Sequence, residues 1–373
     1  MRKLSLLYLA ATLVGALAVG TGAVAQSPSS GGLTSDNVEY IKHIPISVDG
    51  VGGRVVGQYF YTNDQHKIMI FDIEDPLNPV LTDFYMLPQE VLFSREDLDT
   101  NGKILVMPNL GDLYIFDVSD PADIKLLGRT GGGQHTQSCI LDCTYAYGSS
   151  GAIHDLRNPK KPKLLDAKWG DGMPASGGHD VEEISPGLIL TSTQPIMYLD
   201  ARKDPLHPKL LAAGSSDDGR FIHSGRWANK GRDKFLVMGG ETNFKPRCNE
   251  TNGAFMTWDA SKWRETHSFT MIDEYRMTNG TYADGSPAAN GVGCSSHWLE
   301  PSPKFHDGGI VAAAFFEHGT RFIDVSPTGK INEIGWFMPW GGSTGAAYWV
   351  TDEIVYAVDY SRGIDIIRFT GKQ

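Results

Sequence analysis

"LYIFDVSDPADIKLLGR", residues 113–129, holds a short strand, a turn and the start of another strand within seventeen positions. The apolar run Leu113–Phe116 stops at Asp117, Ser-Asp-Pro-Ala-Asp supplies turn residues, and Lys125-Leu126-Leu127 resumes an extended pattern. The same order of events recurs along the chain. It appears as "IMIFDIEDPLNPVLTDF" (68–84), "AIHDLRNPKKPKLLDA" (152–167), "IMYLDARKDPLHPKLLAA" (196–213), "FMTWDASKWRETHSFTM" (255–271) and "RFIDVSPTGKINEIGWF" (321–337), with a truncated copy, "IDIIRFTGK", at 364–372. Six copies close the strand with aspartate (Asp72, Asp117, Asp155, Asp200, Asp259, Asp324), and Arg368 fills the slot in the seventh. These acids are turn formers, since Asp bonds nearby backbone N–H groups, and they are assigned no site role.

Each copy is preceded by another apolar run, such as "KILVMP" (103–108), "LILTST" (188–193) or "IVYAVDY" (354–360), and before that by a Gly-rich lead-in to a first strand. Helical periodicity is absent. Four strands recurring at a period near 45 residues predict the blade of a β-propeller. Seven copies predict seven blades. The last copy lacks a fourth strand, and "VEYIKHIPI" (38–46) is a strand without a unit. The expectation is an all-β, seven-bladed β-propeller closed by an N-terminal strand that completes the last blade, leaving no open edge there. Two stacked β-sandwiches would fit the strands but not the regular repeat.

The N-terminus reads as an export signal over residues 1–25. Arg2 and Lys3 precede the apolar run Leu4–Gly20, and Ala23-Val24-Ala25 offers a cleavage site before Gln26. A retained anchor fits less well, because small residues end the run and no positive stop follows. Residues 26–37 read as a flexible linker and 38–373 as one domain. Elsewhere no stretch is long and apolar enough to span a bilayer. The expected location is therefore secreted or cell-surface. Removing Arg2 and Lys3 takes the net charge from −11 to −13, a poor match to nucleic acid or anionic lipid.

Four cysteines in an exported chain predict two disulfides. The preferred pairing is Cys139 with Cys143 and Cys248 with Cys294, among three that are possible. The first needs a hairpin, because an extended strand would hold the two Cα atoms roughly 13 Å apart. The same distance separates Cys139 from His135, which argues against a shared thiol–imidazole metal site.

Histidine falls at one register in four consecutive units. His135 precedes "TQSCI", and the next lead-ins are "SGGHDVEEI" (176–184), "FIHSGRW" (221–227) and "CSSHWLE" (294–300), which place His179, His223 and His297 alike. The stretches aligned in units one, two and seven, "DGVGGRV" (49–55), "LPQEVLF" (87–93) and "STGAAYW" (343–349), lack it. Innermost strands of a propeller line its channel, so one register becomes one ring. The turns between second and third strands open on the same face, which places Gln194, Glu241, Glu317 and His318 nearby. His135, His179, His223, His297 and His318 are thus candidate ligands of a divalent transition metal (Zn, Cu or Fe), and Glu241 and Glu317 are candidate catalytic carboxylates. The alternative is that these histidines only bond neighbouring loops. Trp227, Trp298 and Trp349 follow the lead-ins and read as packing between blades more than as a sugar-binding rim. No G-x-S-x-G, phosphate-binding loop or H-E-x-x-H occurs, so no nucleotide cofactor is expected. Two sequons, at Asn249 and Asn279, read as incidental.

The repeated D-[IV]-x-[DN]-P with a following K-L-L, together with "HTQSCILDCTYAYGS" (135–149) beside "HDLRNPKKPKLL" (154–165), resembles the LVIVD-repeat family of exported β-propellers. That resemblance covers nearly all of the chain after the leader. It implies the fold and little about chemistry. In architecture the expected histidine ring is also similar to propellers that hold copper through channel histidines, the methanethiol oxidase and selenium-binding group, although their local motifs are missing. Two functions follow. One is a metal-dependent oxidoreductase or hydrolase acting on a small molecule. The other is a non-catalytic exported module that recognises an extracellular protein or glycan, with the insertions at 242–254 and 276–296 as its surface.

Overall fold

The aspartates that end the third strands form the expected turns. Asp72, Asp117, Asp155, Asp200 and Asp259 each accept, through Oδ1, the backbone N–H two residues on, at 2.8–3.1 Å. The computed structural model describes residues 31–46, 49–88, 92–242, 251–277 and 294–372. Around these turns the chain forms seven antiparallel sheets of at least four strands each, a seven-bladed β-propeller. The innermost strands are Gly53–Val56, Asp99–Thr100, Gln137–Ile140, Asp180–Ser185, Ser224–Arg226, Leu299–Pro301 and Thr344–Trp349.

Why the middle strands read as unbroken apolar runs is clear from blade two. Leu105, Met107, Tyr114 and Phe116 pack on Tyr61, Ile68 and Ile70 of blade one. The alternate residues Val106, Leu113 and Ile115 pack on Cys139, Cys143 and Ala146 of blade three. Both faces of a middle strand are therefore dry, and period-two alternation is lost. The outer strand Lys125–Gly131 has water beside it and alternates instead.

Closure follows the sequence expectation. Val38–Ile44 pairs antiparallel with Gly363–Phe369, from Val38 opposite Phe369 to Ile44 opposite Ile364. The stretch just before it is a correction. Read as linker to residue 37, the chain instead forms a strand at Gly32–Thr34, paired with Phe337–Pro339 as a fifth strand on blade six. The outer strand of that blade, Ile331–Pro339, is nine residues long and would otherwise show an open edge. The proposed leader lies outside the described residues.

Cys139 and Cys143 are bridged across a hairpin whose turn residues Leu141, Asp142 and Cys143 all take φ of 54–57°, bringing the Cα atoms to 4.4 Å. Cys294 is also disulfide-bonded. Cys248, both sequons' asparagines and most of the two insertions lie outside the described residues.

Candidate metal centre at the channel mouth

Three of the predicted histidines are fixed by their own blade, and neighbouring blades hold the ring together. The backbone N–H of His179, His223 and His297 donates to the second strand of the same blade, at Ser192, Gly239 and Ala314 (2.8–3.0 Å). Hydroxyls then tie neighbouring blades together at this level. Ser94, Thr136 and Ser224 donate to the carbonyls of His135, His179 and His297 at 2.5–2.6 Å. Two imidazoles are oriented further, because His179 Nδ1–H donates to the His223 carbonyl (3.0 Å) and His297 Nδ1–H to the Gly345 carbonyl (2.6 Å). With Nδ1 committed to a carbonyl, Nε2 is the atom that points inward.

The four rings meet. Centroids lie 4.7 Å apart for His135 and His179, 3.8 Å for His179 and His223, and 4.0 Å for His223 and His297. At their focus is a carboxylate the sequence reading had missed. Glu96 Oε2 lies 3.3, 3.5, 3.2 and 3.5 Å from Nε2 of His135, His179, His223 and His297. Glu96 is the blade-two member of the same ring. The stretch aligned for that blade, 87–93, is not its lead-in; the first strand is Asp99–Thr100 and Glu96 stands just ahead of it. Spacing carried the signal: Ile104 opens the second strand eight residues after Glu96, close to the nine between His179 and Leu188.

Of the remaining candidates, Glu241 joins the site, with Oε1 4.0 Å from His297 Nε2 and a place in a ligand group with His179 and His223. Glu317 and His318 are buried, but among the described residues no group of three ligand atoms within 4.8 Å includes either. Their turn is tied to blade seven, where Phe316 and Thr344 exchange backbone hydrogen bonds (3.0 and 2.9 Å), and its Phe316 ring lies 4.6 Å from that of His297. Gln194 donates to Ser216 Oγ (2.5 Å). Trp298 packs its ring 5.1 Å from His223 beneath the cluster, while Trp227 and Trp349 are buried in core clusters, as the packing reading expected.

Charge is divided unevenly in this ring. Burial alone would push the Glu96 carboxyl up, but His297 and hydrogen bonds from His135, His223 and His297 hold it well below the ordinary carboxylate range. Burial disfavours the charged forms of His135 and His297, yet Glu96 and then Glu241 outweigh it and both pKa values rise. His179 is driven by burial to about 3, against the pull of Glu96. His223 falls well below its usual value through burial, with His179 and His297 adding to the effect. Tyr360, its ring 6.0 Å from that of His297, is held well above its usual value by burial and by the Glu96 and Glu241 carboxylates. One consequence is unfavourable for the protein alone. Neutral His179, its Nδ1–H already given to a carbonyl, turns the Nε2 lone pair toward a carboxylate oxygen 3.5 Å away.

Beneath the ring the channel is filled by charged side chains from the innermost strands. Arg54 meets Asp99, Glu182 and Asp97 at 2.9, 3.2 and 3.6 Å. Arg226 meets Glu182 and Glu300 at 3.2 and 3.3 Å. A cavity of about 360 Å³ lies over this layer, walled in part by Trp227, Phe305 and Trp349. Another ligand-like group, Asp233, His306 and Asp307, is already satisfied: Asp233 Oδ2 accepts from Asn229 and from the Asp307 N–H, and Asp307 pairs with Lys234.

No protein-family profile matches the chain, and no curated protein matches it. Among solved structures it is similar to the β-propeller domain of Myceliophteria thermophila Cps50 (Swd1), at 13% identity over 89% of this chain and 99% of that one, with a TM-score of 0.61. A chain in the crystal structure of the mitotic checkpoint complex is similar at 13% identity over 98% of this chain and 99% of that one, with a TM-score of 0.59. At such identity the likeness concerns the fold.

Proposed function

We propose that His135, His179, His223 and His297 hold one transition-metal ion, with Glu96 as a carboxylate ligand and Glu241 at its side, and that the chain is an exported metal-dependent oxidoreductase. The observation that carries this reading is the convergence of four Nε2 atoms on one carboxylate oxygen at 3.2–3.5 Å. Metal–nitrogen and metal–oxygen bonds of about 2.0–2.1 Å put neighbouring ligand atoms about 2.9–3.4 Å apart, from octahedral to tetrahedral angles. The four nitrogens stand near that spacing from the Glu96 oxygen, and Glu96 forms one three-ligand group with His223 and His297 and another with His135 and His179. A cation among them would also turn the lone pair of His179 from a repulsive group into a ligand.

The donor set favours one chemistry over another. Catalytic zinc keeps three protein ligands and an open fourth position. Four imidazoles and a carboxylate more than fill a tetrahedron, so an open position remains only at an ion of higher coordination number, which favours Cu or Fe and redox chemistry over zinc hydrolysis. Within that reading Glu241 is the nearby carboxylate able to hold a proton, and Trp298 closes the site from below. Export and membership of the LVIVD-repeat propellers rest on the leader, the repeated turn motif and the absence of free cysteine among the described residues.

Elemental analysis of the purified protein tests the proposal, alongside a His179→Ala/His223→Ala variant. About one Cu or Fe per chain, lost in the variant, is the expected result. Protein that cannot be loaded with Cu, Fe or Zn would overturn it and leave a propeller that recognises a protein or glycan.

A further inference from the structure

The cluster is not equally closed on all sides. His223 and His297 are fully buried and His179 nearly so, whereas the His135 side chain is 43% exposed. Against His135 lies a pocket of about 390 Å³, walled by Gln65, Leu92, Phe93, Arg95, Asn109 and Leu110. Its size falls at the small end of the range for ligand pockets, roughly 300–1,000 Å³.

Two of these walls are out of place for a surface loop. Leu110 sits at the tip of the turn between Ile104–Pro108 and Asp112–Asp117, a position where polar residues are the rule, and is 85% exposed. Leu92 is 48% exposed on the facing lip. A single exposed leucine is ordinary, but two that line one cavity ending at a candidate metal ligand, together with Phe93, give that cavity apolar walls.

The polar lining points the same way. Among the lining residues only Arg95 and His135 are ionisable. Arg95 is already paired with Asp49 and lies over the Tyr360 ring at 5.2 Å, so it brings no unmatched charge. Ser94 is committed to the His135 carbonyl (2.6 Å) and Asn109 Oδ1 to the Asp112 N–H (2.6 Å). The Gln65 amide makes no hydrogen bond to the described residues and can meet one neutral polar group. An anion would find no free cation here, and a cation no carboxylate in the wall.

We infer that this pocket binds a small, uncharged molecule with an alkyl or aryl body, lodged between Leu92 and Leu110 with one end against His135. The inference deepens the metal-centre reading and rests on it for its meaning: the pocket delivers a neutral apolar substrate to the open side of the ion.

Two fluorescent probes test it without requiring metal. N-phenyl-1-naphthylamine is neutral, and 1-anilinonaphthalene-8-sulfonate carries the same rings with an added anionic group. The neutral probe is expected to saturate one site at least tenfold more tightly than the sulfonate. A Leu92→Ser/Leu110→Ser variant, both sites being solvent-exposed and its fold checked by circular dichroism, should weaken the neutral probe at least tenfold. Equal binding by variant and wild type, or preference for the sulfonate, overturns the inference. Stoichiometric metal without leucine-dependent probe binding overturns this inference alone. Leucine-dependent binding in a chain that takes no metal upholds the apolar pocket and removes the metal centre instead.

Discussion

The two ends of the central channel are built from the same innermost strands and solve opposite problems. At the inner layer every arginine finds acids: Arg54 has three carboxylates around it and Arg226 has two. The ring at the mouth has an ionised Glu96 and four imidazoles, of which His179 offers it a lone pair and no proton. In the inner layer each guanidinium is matched by carboxylates, whereas the ring at the mouth sets the lone pair of a neutral imidazole against a carboxylate. Buried charge with its partners present is structure, and buried metal-ligand atoms that converge on one point suggest a ligand.

Mutations should separate the ends cleanly. Arg226→Met strips the guanidinium from Glu300 and half of it from Glu182, and should cost about 3 kcal/mol of stability in urea unfolding while leaving metal stoichiometry intact. If metal is lost as well, the two ends are one coupled unit. Glu96→Gln should do the reverse. Metal affinity, read by competition with a chelator, is expected to fall about 10–100-fold, with stability of the metal-free chain little changed.

Acid should act on the mouth first. His135 and His297 have raised pKa values, so each holds its proton to higher pH than an ordinary imidazole, and a metal must displace it. Apparent affinity should therefore decline as pH drops through those raised values, by up to about tenfold per unit for each proton released, and level off above them. In Glu96→Gln that decline should move to lower pH, because the carboxylate that raises both imidazoles is gone. The smallest effect belongs to Tyr360→Phe, which removes one hydroxyl near the Glu96 and Glu241 carboxylates. It should weaken metal binding several-fold, about 1 kcal/mol, without altering stoichiometry.

Much of this was legible in the chain. The strand–Asp–turn repeat fixed seven blades because each blade must bury the same two faces, and four histidines at one register became one ring because innermost strands share an axis. Glu96 was hidden for a physical reason. Its blade opens with a strand of only two residues, too short to show a period, and places a carboxylate where the others place imidazole. The paired charges inside Asp180–Ser185 and Ser224–Arg226 belong to the axis, not to solvent, and only the closed ring reveals that they face one another. Glu317 and His318 were assigned from turn position alone. Phe316 and Thr344 tie that turn to blade seven, and among the described residues no three-ligand group includes Glu317 or His318.

The way the ring is fastened governs when it can exist. Val38, among the first residues of the domain to be made, must find Phe369, almost the last. Contacts so remote in sequence form slowly and only once the whole polypeptide is free to bend back on itself. Until that clasp shuts, the sectors that carry the imidazoles have no common axis. A chain cut short before its final strand would therefore be expected to lose the ligand sphere along with the barrel-like wheel, even though every histidine would still be present in it.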